Sequence, residues 1–404
     1  MSMSRDNPHT PIPMRACFGG AYAGKRVLVT GHTGFKGSWL CEWLLELGAE
    51  VSGFSLPPAT TPALFDQLGI ASRMRHVTGD VRDLAAVRRA IEEIQPDFVF
   101  HLAAQALVRH GYDEPVETFA TNIMGTANVL EALRLTGRPA VVVVVTTDKC
   151  YENREWAHAY READALGGHD PYSASKAGAE IVAAAYRKSF FTKEGGIRLA
   201  TARAGNVIGG GDWAADRIVP DCVRALLQGR PIPVRNRIST RPWQHVLEPL
   251  GGYLWLGSRL ADRTSAHAEQ LASSFNFGPD LASNRTVAAL VEEVLKHLPG
   301  SWLDRCDSSA PHEAQRLNLA IDKAHHVLGW HPVWSFEQAV SAAMAWYREV
   351  AREPGRAGDL TRLQVREYVD AAERSGLPWA STVTKGNAHS ASGAVHSACA
   401  GQTL

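Results

Sequence analysis

Ala140–Val145 is one alanine followed by five valines. A strand with one wet face needs a polar side chain at every second position, and a surface helix needs a polar stripe. This run has neither. It marks a short strand covered on both faces, and so a parallel sheet between two layers of helices. The rest of the N-terminal half repeats the theme. Strands are predicted at Lys25–Val29, Glu50–Phe54, around Val77, and at Phe98–Leu102 and Leu199–Arg203. Helical spacing is predicted between them at Ser38–Leu47, Leu84–Ile94, Asn122–Thr136 and Tyr172–Phe190.

This alternation gives the fold class: α/β, a Rossmann-type doubly wound parallel sheet with a smaller mixed α/β C-terminal substrate-binding domain. Residues 1–24 read as a loose N-terminal arm, and 25–208 as the dinucleotide-binding domain with the catalytic residues. The rhythm weakens from Gly209, so 209–350 read as a substrate-binding region partly interleaved with the first domain. Helical spacing returns there at Val287–Leu298 and Phe336–Glu349, and 351–379 read as a helical extension. Residues 380–404 are rich in Ser, Ala, Gly and His, lack periodicity and read as a disordered tail.

A chain of 404 residues with zero formal net charge has room for a large core and no electrostatic footprint for nucleic acid or an anionic membrane. No apolar run is long enough to span a bilayer, and Met1–Pro13 has no apolar signal segment. The six cysteines, Cys17, Cys41, Cys150, Cys222, Cys306 and Cys399, are scattered, which argues against a zinc site or a disulfide framework. The expectation is a reduced cytoplasmic enzyme without a metal.

Val27-Leu28-Val29-Thr30-Gly31-His32-Thr33-Gly34-Phe35-Lys36-Gly37 joins a strand to a helix through a glycine turn. In that context Gly31 allows the tight turn, Gly34 lets backbone approach a pyrophosphate, and Gly37 allows close helix–sheet packing. The helix N-terminus then faces the phosphates. Thr33, Phe35 and Lys36 lie in the same loop. Asp80 and Val81 follow strand three, in order to meet an adenine, although Asp80 could equally cap a helix. Ala103, Ala104 and Gln105 follow strand four, where small residues let a cofactor lie flat. Asn122, Tyr172 and Lys176 complete the expected NAD-binding set. After strand two the chain reads Gly53-Phe54-Ser55-Leu56-Pro57, with no acidic residue for the adenosine ribose and no arginine for a 2′-phosphate. NAD is therefore expected, held less firmly than usual.

Tyr172 and Lys176 stand four residues apart, on one helix face. A tyrosine with a pKa of about 10 becomes a base if a nearby ammonium and a cationic nicotinamide favour its phenolate. Thr147 ends the valine strand, where open α/β sheets place their chemistry, and can hold the reacting hydroxyl. Asp148 and Lys149 follow at once. Alcohol oxidation needs only the Thr, Tyr and Lys, so the extra acid–base pair points to an elimination.

These segments resemble the extended short-chain dehydrogenase/reductase family, and within it the nucleotide-sugar 4,6-dehydratases that act on CDP-glucose. The resemblance covers about residues 25–350. It rests on the glycine loop, His101–Gln105, Thr147-Asp148-Lys149-Cys150-Tyr151, Asp170–Lys176, Arg203–Trp213, Arg241–Pro249, Asn276–Pro279 and Leu328–Trp330. It implies C4 oxidation by NAD with Tyr172 as base, loss of water across C5–C6 and return of hydride to C6. Asp148 matches the acid that protonates the departing hydroxyl. Lys149 stands where dTDP- and GDP-sugar dehydratases carry a glutamate base. Asn206, Arg217, Arg241 and His312 become candidates for holding the CDP-glucose, with Arg241 the best fork for a pyrophosphate. The family also implies a homodimer or homotetramer. A 4-epimerase or a dehydratase of another nucleotide hexose would share the glycine loop, Thr147, Tyr172 and Lys176. A non-catalytic dinucleotide sensor would be expected to have lost Tyr172 or Lys176.

Overall fold

The computed structural model of the chain describes residues 13–191, 196–264, 267–306 and 316–381. Seven strands form the central sheet: β1 (Arg26–Thr30), β2 (Glu50–Ser55), β3 (Arg75–Thr78), β4 (Phe98–His101), β5 (Ala140–Val145), β6 (Ile197–Ala204) and β7 (Ser274–Phe277). Their order is β7-β6-β5-β4-β1-β2-β3, and every pairing is parallel. The order reverses between β1 and β4, which opens a crevice at the C-terminal ends of those strands.

All six residues of β5 are buried, as the valine run requires. Val142 and Val144 pack on one face with Leu28, Val99, Val129, Leu133 and Ala183. Val141, Val143 and Val145 pack on the other with Val27, Val29, Trp39, Trp43, Leu250 and Leu254. The first layer carries α2 (Leu84–Ile94), α3 (Gly125–Thr136) and α4 (Pro171–Ser189); the second carries α1 (Phe35–Glu46) and α6 (Leu247–Ala261). Further along come α5 (Ile218–Leu227), α7 (Val287–His297), α8 (Phe336–Arg352) and α9 (Ala357–Arg374).

The helix starts follow local chemistry. Asp83 caps α2 by accepting from the Ala86 N–H at 3.0 Å. Asp170 caps α4, accepting from the Ser173 N–H at 2.9 Å, and Pro171 takes the first helical position, where no N–H is needed. Ser335 and Gln338 form a capping box on α8.

Three sequence expectations differ from what is found. The segment predicted as one helix from Asn122 begins instead with a π-turn, Ala120–Met124, before α3. β7 and α6 are not marked in the sequence reading: β7 alternates polar and apolar over only four residues, and α6 is apolar nearly throughout. The N-terminal arm is not loose from Met14 onward. Phe18 and Tyr22 are buried, Phe18 stacks on Trp379 at 4.8 Å between ring centres, and Ser258 Oγ donates to the Phe18 carbonyl at 2.7 Å. The tail read as disordered lies, from 382 on, outside the described residues. No described helix is long and apolar enough to cross a membrane, and no described cluster of His, Cys, Asp and Glu could hold a metal.

Candidate active site

The glycine loop is built so that nothing larger fits. Gly31 has φ +74°, and a Cβ there would lie 2.7 Å from the Ala103 nitrogen. A Cβ on Gly37 would lie 2.2 Å from the Gly31 carbonyl oxygen. The helix start is thereby pressed against the ends of β1 and β4. Gly34 stands at the N-cap of α1 and supplies no side-chain hydrogen bond, which leaves the first-turn N–H groups to an outside acceptor. A pyrophosphate is such an acceptor, so the residues present fit a dinucleotide. Phe35 closes the loop against Gly209, where a Cβ would come within 3.2 Å of the ring.

The remaining cofactor candidates have defined partners. Thr33 Oγ1 lies 2.9 Å from Ser55 Oγ and donates to the Leu56 carbonyl at 2.9 Å, so the exit of β2 offers hydroxyls and no carboxylate. Asp80 is not a helix cap, because Asp83 has that role; its carboxylate clasps Arg82 at 2.6 Å. Val81 is buried beside Gly125. The Ala103 N–H donates to Thr30 Oγ1 at 3.2 Å, and Ala104 leads on to Gln105. Asn122 accepts from the Gln105 N–H at 2.8 Å and donates to the Gln105 carbonyl at 2.9 Å and to Ser175 Oγ at 2.8 Å. In this structure Asn122 ties the cofactor loop to α4.

The chemical groups meet where β5 ends. Thr147 caps a single 3₁₀ turn, Asp148–Cys150, and its hydroxyl donates to Asp148 Oδ1 at 2.9 Å. The same hydroxyl is hydrogen-bonded to Tyr172, at the start of α4. It has one proton, and the Asp148 carboxylate and a Tyr172 phenolate can each take it. Asp148 is 2% exposed, and its Oδ2 has no partner among the described residues. Burial raises its pKa, against the pull of Lys149, Thr147, Arg241 and Lys36. A raised carboxyl pKa suits a group that must donate a proton.

At Tyr172, among the described residues, burial outweighs the charges. Burial pushes its pKa up to about 12, and the influences that lower it come from Thr147 and Arg217, while Asp148 and Asp170 raise it. Lys176 shares its helix face but reaches β5 instead, donating from Nζ to the Val145 carbonyl at 3.2 Å. Burial brings Lys176 down to about 8, and Glu180 opposes this.

Arg217 precedes α5 and is paired with Asp212 at 2.9 Å; burial works against its charge, and Asp212 preserves it. Arg241 lies in a short antiparallel pair, Thr240–Pro242 with Asn284–Thr286, is buried, and donates to the Thr240 carbonyl at 2.9 Å. Its field reaches Asp148. Asn206 follows β6, and its carbonyl accepts from the Gln244 N–H at 3.3 Å. His312 lies outside the described residues.

Three further residues belong to this neighbourhood and were missed in the sequence. Tyr253 of α6 accepts from Lys36 Nζ at 3.3 Å. Glu180 of α4 forms a fully buried pair with Arg203 of β6 at 2.9 Å and also accepts from Thr146 and Thr201. His32 packs beneath the glycine loop with Nε2 at 2.6 Å from His76 Nδ1, and burial lowers its pKa to about 4. Only the placement of His32 inside the glycine motif could have drawn attention to it.

The chain is similar to known proteins over most of its length. A family model described as GDP-mannose 4,6 dehydratase matches residues 28–343. CDP-glucose 4,6-dehydratase of Salmonella typhimurium is 44% identical over 359 residues, covering 87% of this chain and 98% of the relative. Among solved structures, the dTDP-glucose 4,6-dehydratase DesIV of Streptomyces venezuelae, with NAD and TYD bound, superposes with a TM-score of 0.67 at 26% identity, over 82% of this chain and 99% of that one. The UDP-glucose 4-epimerase of Thermus thermophilus, in complex with NAD, gives a TM-score of 0.67 at 25% identity, over 80% and 99% of the two chains.

Proposed function

The chain belongs to the nucleotide-sugar 4,6-dehydratase family, and from that premise we propose that it is an NAD-dependent hydro-lyase converting CDP-glucose to CDP-4-keto-6-deoxyglucose. The observation that carries this reading is Asp148: a buried carboxyl of raised pKa, one residue from an alcohol-handling Thr147 and hydrogen-bonded to it. A 4-epimerase has no use for a second proton donor at that place.

The glycine loop, Asp80–Val81 and Ala103–Gln105 would hold NAD, which when bound would supply a reversible hydride acceptor for the oxidation at C4 and the reduction at C6. The protein moves the protons. Tyr172 removes the C4 hydroxyl proton, with Thr147 holding the oxygen and Lys176 supporting the phenolate. Asp148 protonates the C6 hydroxyl as it departs. Lys149 serves the C5 proton, either as a neutral amine that accepts it or as a fixed charge beside the enolate. Arg217, Arg241, Asn206 and His312 hold the nucleotide diphosphate. The enzyme works in the cytoplasm as a homodimer or homotetramer. The exposed apolar side chains Val116, Phe119, Met124 and Ile181, on packed helices beside Tyr172, support an association face.

Purified protein given CDP-, dTDP-, GDP- and UDP-glucose in turn should form a 4-keto-6-deoxy sugar from CDP-glucose with no net reduction of NAD. Stoichiometric NADH would mean simple oxidation and overturn the reading. NAD itself should be partly lost on purification. A missing hydrogen bond to the ribose costs about 0.5–1.5 kcal/mol, or roughly tenfold in affinity at the upper end. Dialysed protein that keeps a full complement of NAD, and gains nothing from added NAD, would contradict this. Lys149→Ala should still reduce NAD in a single turnover while failing to release water or exchange the C5 proton with deuterated solvent. Normal exchange and product without an NADH transient would reverse that assignment.

A further inference from the structure

The loop that leads into α5 is fastened at one end and reaches across the site with the other. It starts at Gly209, against Phe35 of the glycine loop. Its first half is pinned. The Tyr347 hydroxyl donates to the Asp212 carbonyl at 2.6 Å, and Trp213 Nε1 donates to Gln67 Oε1 at 2.8 Å. Arg224 of α5 donates to the Trp213 and Ala214 carbonyls at 2.9 and 3.2 Å. The second half carries Asp216 and Arg217. Arg217 pairs within the loop, with Asp212 at 2.9 Å, whereas Asp216 pairs outside it. Asp216 has φ +63°, in the left-handed region that aspartate enters more readily than most side chains.

The Asp216 carboxylate stands between two arginines. Arg235 Nη1 donates to its Oδ1 at 2.7 Å, and Arg109 Nη1 lies 3.6 Å from the same oxygen. Arg235 belongs to the substrate side, where it continues to Asp221 Oδ2 of α5 at 3.4 Å. Arg109 belongs to the cofactor side. It lies in the short helix Val108–Asp113, just after the cofactor segment Ala103–Gln105. Two residues on, a Cβ at Gly111 would stand 3.6 Å from both Gln105 Nε2 and Tyr172 Cβ. The Arg109–Asp216 pair therefore joins the wall beside Tyr172 to the loop that carries Arg217. It is the longest link to Asp216, beyond hydrogen-bond range, and its side chains are 42% and 43% exposed. An exposed ion pair of this geometry is weak and easily screened. It is a poor structural tie and a suitable contact to part and re-form in each turnover.

Resting on the dehydratase reading, in which Arg217 meets the nucleotide diphosphate, we propose that Asp216 is a positioning residue: its pair with Arg109 is a latch that draws the 212–217 loop over the crevice and sets Arg217 against the bound nucleotide. When the latch parts, the loop stays attached through Arg224, Trp213 and the Asp216–Arg235 pair, and the nucleotide sugar is free to leave. The proton transfers at Thr147 and Tyr172 do not pass through Asp216. The latch therefore governs how long a substrate is held, and not how fast a bound one reacts.

The test uses NAD-saturated enzyme and three substitutions at two exposed positions. Asp216→Asn removes the charge and keeps a residue that accepts positive φ; Arg109→Gln removes the partner; Arg109→Lys keeps the partner's charge. Asp216→Asn and Arg109→Gln should each raise the KM for CDP-glucose about two- to fivefold, and together no further than either alone. The single-turnover rate at saturating substrate should not change. Arg109→Lys should stay within about twofold of wild type. Between about 0.1 and 1 M salt the KM values of wild type and variants should converge, because the Debye length shrinks to about 3 Å. A second readout needs no turnover: with saturating CDP at low salt, the backbone amides of residues 214–218 should exchange with deuterium faster in Asp216→Asn than in wild type. Additive effects of the two substitutions, a lowered denaturation midpoint with KM unchanged, or a slowed single turnover with KM unchanged each overturn the proposal. If a variant does not fold, exchange in the wild-type segment decides, and protection by CDP that persists at about 1 M salt overturns it. If the exchange difference appears while wild-type enzyme leaves CDP-glucose unchanged, the latch stands and the dehydratase reading fails.

Discussion

Tyr172→Phe lowers the rate of C4 oxidation by about 10²–10⁴-fold, the usual contribution of a placed general base. The fold should be untouched, because the substitution keeps the ring and removes only a hydroxyl whose partner, Thr147, is itself a residue of the site. The measurement is the absorbance of NADH in a single turnover with CDP-glucose, where Lys149→Ala keeps the transient and Tyr172→Phe loses it. A transient at the wild-type rate in Tyr172→Phe would remove the tyrosine from the chemistry. The pH dependence has a definite sign. Burial holds the phenol near 12, above the usual tyrosine value, so its base form grows as pH rises and oxidation should speed up with pH until another group ionises. Lys176 is such a group: burial brings its pKa down to about 8, so its positive charge is lost above that value.

Glu180→Ala destabilises the protein by about 3–5 kcal/mol, because it leaves the Arg203 guanidinium buried without its counter-charge. The two side chains are 2–3% exposed and 2.9 Å apart, and Glu180 also receives Thr146, Thr201 and Ser274. Chemical denaturation should show the loss as a lowered midpoint with an unchanged slope. Replacing both members with methionine should recover most of it, since a matched apolar pair leaves no orphan charge. A single variant within about 1 kcal/mol of wild type would mean that the pair contributes little. Burial alone would raise the Glu180 pKa, but Arg203 and the hydroxyls around it hold it below the ordinary glutamate value. Its stabilisation is therefore present above the unfolded pKa and lost as pH falls through the folded one, so Glu180→Ala should also blunt acid unfolding.

What the sequence made legible was local. The valines of β5 and the capping residue of α4 each identify their element within a few neighbours, and Thr147, Tyr172 and Lys176 fall into place once those elements are found. α6 was hidden for a physical reason. Leu247, Leu250, Leu254, Leu256 and Leu260 surround it, glycines interrupt it, and it is buried on every side, so no polar stripe gives it a period. β7, Ser274-Phe275-Asn276-Phe277, alternates over four residues and lacks the continuous apolar run that marks β4 and β5. The links that join distant segments were also invisible. Lys36 and Tyr253 are 217 residues apart, and nothing along the chain ties a lysine in the glycine loop to a phenol on a helix that could not be seen. The partner of the Lys176 ammonium was hidden on the same ground. Helical spacing correctly puts Lys176 on the face of Tyr172, but only the packed structure reveals that the ammonium is taken by the Val145 carbonyl.

The stack of Phe18 on Trp379 fixes an order of events during synthesis. Phe18 leaves the ribosome 240 residues ahead of Ser258, and Trp379 follows later still. At about 5–20 residues per second, that interval is tens of seconds. Tyr22 can pack early on Phe98 and Phe100 and Phe18 on Trp43, but the Phe18–Trp379 stack waits until Trp379 has been made. The sheet can assemble strand by strand as it emerges, but the seam between the two ends closes only when the last helices have been made. Until then the face of Phe18 that Trp379 covers stays open to a chaperone or to a neighbouring chain.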